Sequence, residues 1–539
     1  MNKPIMKKLL PLFAALLGIL LSSCSQPDHW AAFDQEIKLF NSLEPVEPVV
    51  IPEELQPRPA DNSQFDLPAG KSLDLSVEQT IMLALRNNQD LRVRQLNPVV
   101  ARTFEKIERG IFDAEFFTDL EYTEDKTSET DQNSESVIVK KNDHAGVMGL
   151  RQKLPSGTTL EATIEQESSD SDSDSEDQTA RMGLSVTQSL LRGFGPAVNL
   201  AKVWQAEINT AATIHELRGV TEALLADTEN AYWDYVLAKQ KIEIFQHSLD
   251  ISLQQLDEIR QRIEVGILPR IEEAAAHVEV ALREQALINA RSNLEENRLR
   301  LLHLINIDGD GQLDFQVNAT SDAGVEPEPE PITDLGDRLQ LARKSRPDLN
   351  EARLRRKQNR LEIVMTRNGL LPKLDLFISI GKTGYGESFS DSFRNLDENT
   401  HDFTAGIRLS HFLGNRQAEA RQQAARATWQ QSKEAVKNLE QIVDLDVRLA
   451  MNEVERTRQQ ITASKATRIL QEETYKAEKE RFDVGASTAL QLALAHRDLL
   501  ASSINEVEAV IDYRQKLVAL YIAEGSLLDR RGVLFAASP

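Results

Sequence analysis

From Asn415 to Val484 the chain runs for 70 residues without a glycine or a proline. With apolar residues recurring at three and four, as at Ile442, Leu445 and Leu449, such a stretch is a helix. At 1.5 Å per residue it is a rod of roughly 100 Å. No compact domain contains a rod of that length. The span from Pro196 to Gly266 repeats the situation, with Gly219 its one interior glycine and Leu249, Leu253, Leu256 and Ile263 carrying the apolar spacing. Rods of this kind pack side by side in coiled-coil fashion. Composition agrees: 41% of residues are hydrophobic but only 5% aromatic, so the apolar content is Ala and Leu on long helices, not the aromatics of large globular cores.

Both rods end in Val-Gly, and the residues after each Val-Gly are duplicated as well. "RIEVGILPRIEEAAAHVEV" from Arg262 returns as "RFDVGASTALQLALAHRDL" from Arg481. Gly266 and Gly485 permit a tight reversal after a helix C-terminus, so each copy reads as a hairpin tip from which a second helix runs back. The duplication extends further. Ala84, Asp90 and Leu91 correspond to Ala342, Asp348 and Leu349, and "EPEPEPI" from Glu326 separates the two halves. One plan used twice gives tandem repeats at 72–325 and 332–525, a Pro/Glu linker at 326–331 and a tail at 526–539.

Within each half the apolar period changes from 3.6 to 2 and back. The second half offers strands near 373 to 381 and 402 to 411, joined by the polar loop "GYGESFSDSFRNLDENT". The first half offers four, near 115 to 123, 144 to 154, 158 to 167 and 181 to 190. Long polar loops ("TSETDQNSES" and "SSDSDSDSEDQ") and the tight "LPSGT" turn join them. Each is about the 9 to 11 residues that a tilted transmembrane strand needs, although half-buried soluble strands alternate in the same way. Residues 144 to 167 admit two readings. Either this hairpin inserts with the rest, or it extends the sheet above or beside the membrane, as Arg151 and Lys153 near one end suggest.

The chain opens with Lys3, Lys7 and Lys8 before an apolar run from Leu9 to Leu21, too short to span a bilayer and read as a signal peptide over 1–23. "LSSC" resembles the bacterial lipobox, which implies lipidation at Cys24, the chain's one cysteine. Ser25, where Asp would favour the inner membrane, implies the outer membrane. Residues 24–71, with "LEPVEPVVIPEELQPRPA", form an extended lipid-anchored tether. A formal charge of −23 with no basic patch excludes nucleic acid. One cysteine and scattered histidines leave no disulfide framework and no zinc spacing. "NIDGDGQLDFQV" from Asn306 places Asn306, Asp308, Asp310, Gly311 and Asp314 at EF-hand loop positions, but Val317 stands where the bidentate Glu belongs, so no metal site is assigned. His277 and His496 repeat together and read as packing or surface residues. No G-x-S-x-G, H-E-x-x-H or phosphate loop supports a hydrolase.

Taken together, "TIMLALRNNQDL" at Thr80, "QSLLRGFG" at Gln188, "SHFLGNRQAEARQQA" at Ser410 and both Val-Gly tips resemble the TolC-like outer-membrane efflux family over roughly 72 to 525. The resemblance implies a mainly α protein with transmembrane β. Its long antiparallel coiled-coil hairpins would carry strands that three copies close into one shared β-barrel above a periplasmic helical tunnel. It further implies a homotrimer in outer-membrane lipid, served by a periplasmic adaptor and an inner-membrane transporter in tripartite efflux or type I secretion, with no cofactor and no catalysis. The edge problem agrees, because a few strands from one chain cannot sit in lipid with unpaired edges. The resemblance places Glu272, Glu273 and Gln491 at the periplasmic constriction, although Gln491 and Leu494 stand where TolC carries two aspartates. The alternative for Glu272 and Glu273 is a solvated helix start, where acids complement the dipole. For the whole chain the alternative is a non-channel periplasmic coiled-coil scaffold, against which the apolar-alternating strands count.

Overall fold

The computed structural model describes residues 72–130, 136–171, 174–307, 312–321, 324, 331–398 and 400–533. The signal segment, Cys24, the tether and the Pro/Glu stretch from 325 to 330 lie outside the described residues.

Two uninterrupted helices organise everything else: α3 (Ala201–Glu264, 64 residues) and α7 (Arg416–Asp483, 68 residues). Their length follows from the missing breakers. Gly219, in the first third of α3, lies where Pro347 of the other repeat comes close. Each rod is paired by two shorter helices. At the tip end, α4 (Ile271–Ile305) returns along α3, and α8 (Ala489–Glu524) along α7. At the opposite end, α2 (Gln89–Arg109) packs on α3, while α6 (Pro347–Gly369) packs on both α3 and α7. The short α1 (Val77–Asn87) and α5 (Leu335–Ser345) precede α2 and α6, so the two halves repeat element by element. Among the described residues no helix is long and apolar enough to cross a membrane.

The largest core sits where the repeats meet. Strand β1 (Ser72–Leu75) runs parallel to β6 (Gln316–Ala319), and Leu73, Leu75, Ile81, Leu225, Tyr232, Leu301, Leu302 and Val518 pack around them. Tyr232 donates its hydroxyl to the Leu75 carbonyl at 3.0 Å. The "NIDGDGQLDFQV" segment belongs to this packing: Asn306 caps α4 with φ 48°, and Val317 is buried in β6 with its carbonyl accepting from Tyr235. Residues 308–311 lie outside the described residues.

At the other end stands one antiparallel sheet of six strands, in spatial order β2 (Glu115–Thr130), β3 (Ser136–Lys153), β4 (Thr158–Ser171), β5 (Asp174–Ser189), β7 (Lys373–Gly386) and β8 (Asp402–Ser410). Most of these strands outrun the sequence expectation. The stretches "TSETDQNSES" and "SSDSDSDSEDQ", read as long loops, are strand wherever they are described, with 131–135 and 172–173 outside the described residues. Polarity indicates exposure to water, and a strand wet on both faces is as polar as a loop. The loop "GYGESFSDSFRNLDENT" is likewise not all loop, since a short helix at Phe389–Arg394 folds onto the sheet.

The strand-to-helix junctions explain "QSLLRGFG". Gly193 and Gly195 take φ of 87° and 92°, which L side chains resist. The Gly193 amide donates to Asn368 Oδ1 at 2.8 Å, and Asn368 Nδ2 donates to the Leu191 carbonyl at 3.3 Å, so the end of α6 clamps the first repeat's turn.

Candidate functional site at the hairpin tips

The two tips close in the same way. Gly266 and Gly485 take φ of 77° and 76°. The Gly266 amide donates to the Ile263 carbonyl at 3.0 Å and that of Ile267 to Arg262 at 2.8 Å; Gly485 donates to Phe482 at 3.0 Å and Ala486 to Arg481 at 2.7 Å. This pair of bonds is the Schellman closure, with glycine in the left-handed position and the arginine three residues before the cap. Backbone geometry therefore accounts for the repeated glycine.

The repeated arginines do different work. Arg262, in the last turn of α3, crosses to the other hairpin. It donates to the Phe482 carbonyl at 3.2 Å and to Asp483 Oδ1 at 2.6 Å, and its guanidinium lies 5.0 Å from the centre of the buried Phe482 ring. Arg481 reaches only Glu478 on its own helix, at 3.0 Å. A second cross-link comes from the return helices: Glu272 Oε2 accepts the Ala489 amide of α8 at 3.2 Å, where a carboxylate also complements the helix dipole. Beneath these contacts Leu256, Ile259, Ala276, Val280, Phe482, Ala489 and Leu492 form one core shared by all four tip helices.

The other residues singled out from sequence do not converge in one protomer. Glu273 pairs with Arg260 of its own hairpin at 3.0 Å, and that hydrogen bond holds its carboxyl below the usual range. Gln491 is exposed, accepting from Ser487 at 2.9 Å and donating its amide to Thr488 at 3.3 Å. His277 is exposed beside Arg260. His496, its sequence counterpart, is buried between hairpins, where Nε2 lies 3.2 Å from the Ser248 hydroxyl and burial lowers its pKa to about 4. Sequence reasoning passed over Arg262 and Asp483. The duplicated arginine was visible, but nothing in one sequence says which copy crosses.

Around the turns Val265, Ile267, Ile271, Val484 and Leu490 are all exposed. Known proteins place this geometry. The sequence model of the outer membrane efflux protein family matches residues 152–306 and 338–526, more than half of the chain. The chain belongs to this family. Among solved structures it is similar to the Campylobacter jejuni CmeC outer membrane channel (15% identity, TM-score 0.62, covering 84% of this chain and 86% of that one). It is also similar to the outer membrane protein VceC of Vibrio cholerae (16%, 0.60, 83% and 96%) and to the open state of the Neisseria gonorrhoeae MtrE channel (20%, 0.58, 84% and 90%). No curated protein matches the sequence. This efflux protein shares their fold: tandem repeats of long helical hairpins carrying a β-sheet at one end.

Proposed function

We propose that three copies of this chain pool their sheets into one outer-membrane barrel, with the helices continuing it as a periplasmic duct for passive exit of substrates. The sheet carries this reading. One of its faces carries a band of exposed apolar side chains across all six strands, and among the described residues its two outer strands, β2 and β8, have no partner on their outer edges. An apolar sheet with open edges is not viable in lipid, whereas closure through further copies pairs every edge. β2 runs away from the helices and β8 runs back toward them, so a β8 meeting a neighbour's β2 forms another antiparallel pair.

The exposed apolar side chains at the turns suit a periplasmic adaptor that brings substrate from an inner-membrane transporter. Cys24 is the lipid anchor that adds outer-membrane attachment. Glu272, Glu273 and Gln491, in the first turns of the return helices, line the constriction. Planar-bilayer recording of the purified protein, with its mass measured in the same detergent, is the test. A trimer that conducts in single steps is expected, and a non-conducting monomer would overturn the proposal. Glu272→Gln removes the charge but keeps an acceptor for the Ala489 amide. The reversal potential under a salt gradient should shift toward less cation preference.

A further inference from the structure

We infer that all six strands of each protomer insert, so that the trimer closes an 18-stranded barrel. This rests on the channel reading above and concerns the hairpin with two sequence readings, β3–β4.

Three observations place that hairpin in the wall. First, a single row of paired residues crosses the whole sheet: Phe116, Leu150, Ala162, Leu184, Ile380 and Phe403, each directly opposite the next. All are apolar and all lie on one face, and Leu150 and Ala162 belong to the hairpin in question. The adjacent row runs Thr118, Met148, Ile164, Met182 and Lys382, apolar at its centre, with the Lys382 ammonium donating to the Leu396 carbonyl at 3.3 Å. Second, the charges that argued against insertion point the other way. Arg151 lies on the opposite face, where it pairs with Glu161 at 2.9 Å and stacks 4.6 Å from the Phe117 ring; on the same face Arg181 joins Glu165 at 3.0 Å and Asp402 at 2.8 Å. That face suits a watery lumen and the other suits lipid.

Third, the floor of the hairpin is the floor of the barrel. The turn Leu154–Gly157 is bonded into the strand-to-helix junction: Gly195 donates its amide to the Ser156 carbonyl at 3.0 Å, and Ser189 donates to Gly157 at 3.2 Å. The register then supplies the tilt. Glu115, at the helix-side end of β2, is in line with Arg151, Glu161, Ser185, Ser379 and Thr404. β8 does not end at Thr404 but continues to Ser410, six residues further toward the helices; the ends of β3, β4 and β5 descend in sequence between, and β7 ends level with β8. About one residue of stagger per strand is the ratio that tilts barrel strands by about 36°, inside the range of transmembrane barrels. A hairpin added above the membrane would not share this descent.

With strands about 4.8 Å apart at that tilt, 18 strands give a backbone radius of about 17 Å, against about 11 to 12 Å for 12. Two measurements test the inference on the full-length protein in lipid. Single cysteines at Leu150, Ala162 and Thr163, each in a Cys24→Ser background, should separate by face. Thr163→Cys should react with a membrane-impermeant maleimide at least tenfold faster than Leu150→Cys and Ala162→Cys. Equal labelling of all three would overturn the inference. Should a substituted protein fail to assemble, electron microscopy of the unsubstituted trimer decides by barrel diameter: a wall of 12 strands refutes the six-strand contribution. Loss of trimer and conductance together would instead refute the channel reading.

Discussion

At the scale of single residues, three glycines of one sequence have opposite predicted responses to the same substitution. Gly266 and Gly485 have open space where a Cβ would sit, but their φ near +77° costs an L residue about 1 kcal/mol, so Gly485→Ala should lower the melting temperature. Gly219 lies inside α3 with helical backbone, and its Cβ would meet Pro347 at 3.6 Å, an ordinary contact. Gly219→Ala should therefore stabilise by about 0.5–1 kcal/mol and raise the melting temperature. His496 has a different consequence. It is 2% exposed, near Ser248 and His247 of α3, Arg283 of α4 and Tyr475 of α7, and burial is the main reason its pKa falls from 6.5 to about 4. Between those values the unfolded chain binds the proton and the folded chain does not. Stability present above about pH 6.5 is thus lost as pH falls toward 4, by something on the order of 3 kcal/mol. Glu222, pushed up to about 7 by burial, acts oppositely: its folded form holds the proton longer, and stability falls as pH rises from 4.5 to 7. The informative measurement is the difference between protein and His496→Gln variant. Melting temperatures from pH 4 to 7 should converge at the acid end, as the wild type alone loses the histidine contribution.

At the scale of elements, the hairpins are joined at their tips by a shared apolar core and a few polar cross-links, and the polar links are the ones to break. Arg262 joins the end of α3 to the end of α7, while Arg481 stays on its own helix. A partly exposed pair contributes about 0.5–1 kcal/mol, so Arg262→Ala should raise the open population of the tip about two- to five-fold. Bilayer recordings should show higher mean conductance for Arg262→Ala and none of that gain for Arg481→Ala; equal traces for the two would assign the bridge no role. Much at this scale was legible in advance. Rod lengths followed from the absence of Gly and Pro between Asn415 and Val484, tip positions from Val-Gly, and four first-repeat strands from period-two alternation. What was not legible is lateral. The strand ends of β2 to β5 looked like loops because the residues of those stretches are polar at every position, with no alternation to mark a strand. The bridge from Arg262 depends on how two hairpins pack, and Glu272 appeared as a pore acid, not as an acceptor for the Ala489 amide, because helix registry across hairpins leaves no local mark in sequence.

At the scale of the whole molecule, the proposed lipid anchor and the sheet would hold the protein in its membrane with very different strengths. A lipidated Cys24 would attach the chain through a tether of some fifty residues, and each acyl chain alone gives marginal, reversible binding. The sheet offers far more: an apolar face across six strands, multiplied by three on closure, with no edge left unpaired. On the proposed reading the anchor would serve delivery and early attachment, and the barrel retention. Cys24→Ala separates them. Mass spectrometry of the mature N-terminus should show acylated Cys24 in the native protein and no acylation in the variant. Those variant molecules that assemble should stay with the membrane pellet through an alkaline carbonate wash, as trimers. Release of assembled trimers by that wash would mean that the sheet does not span the bilayer, and would remove the barrel along with its strand count.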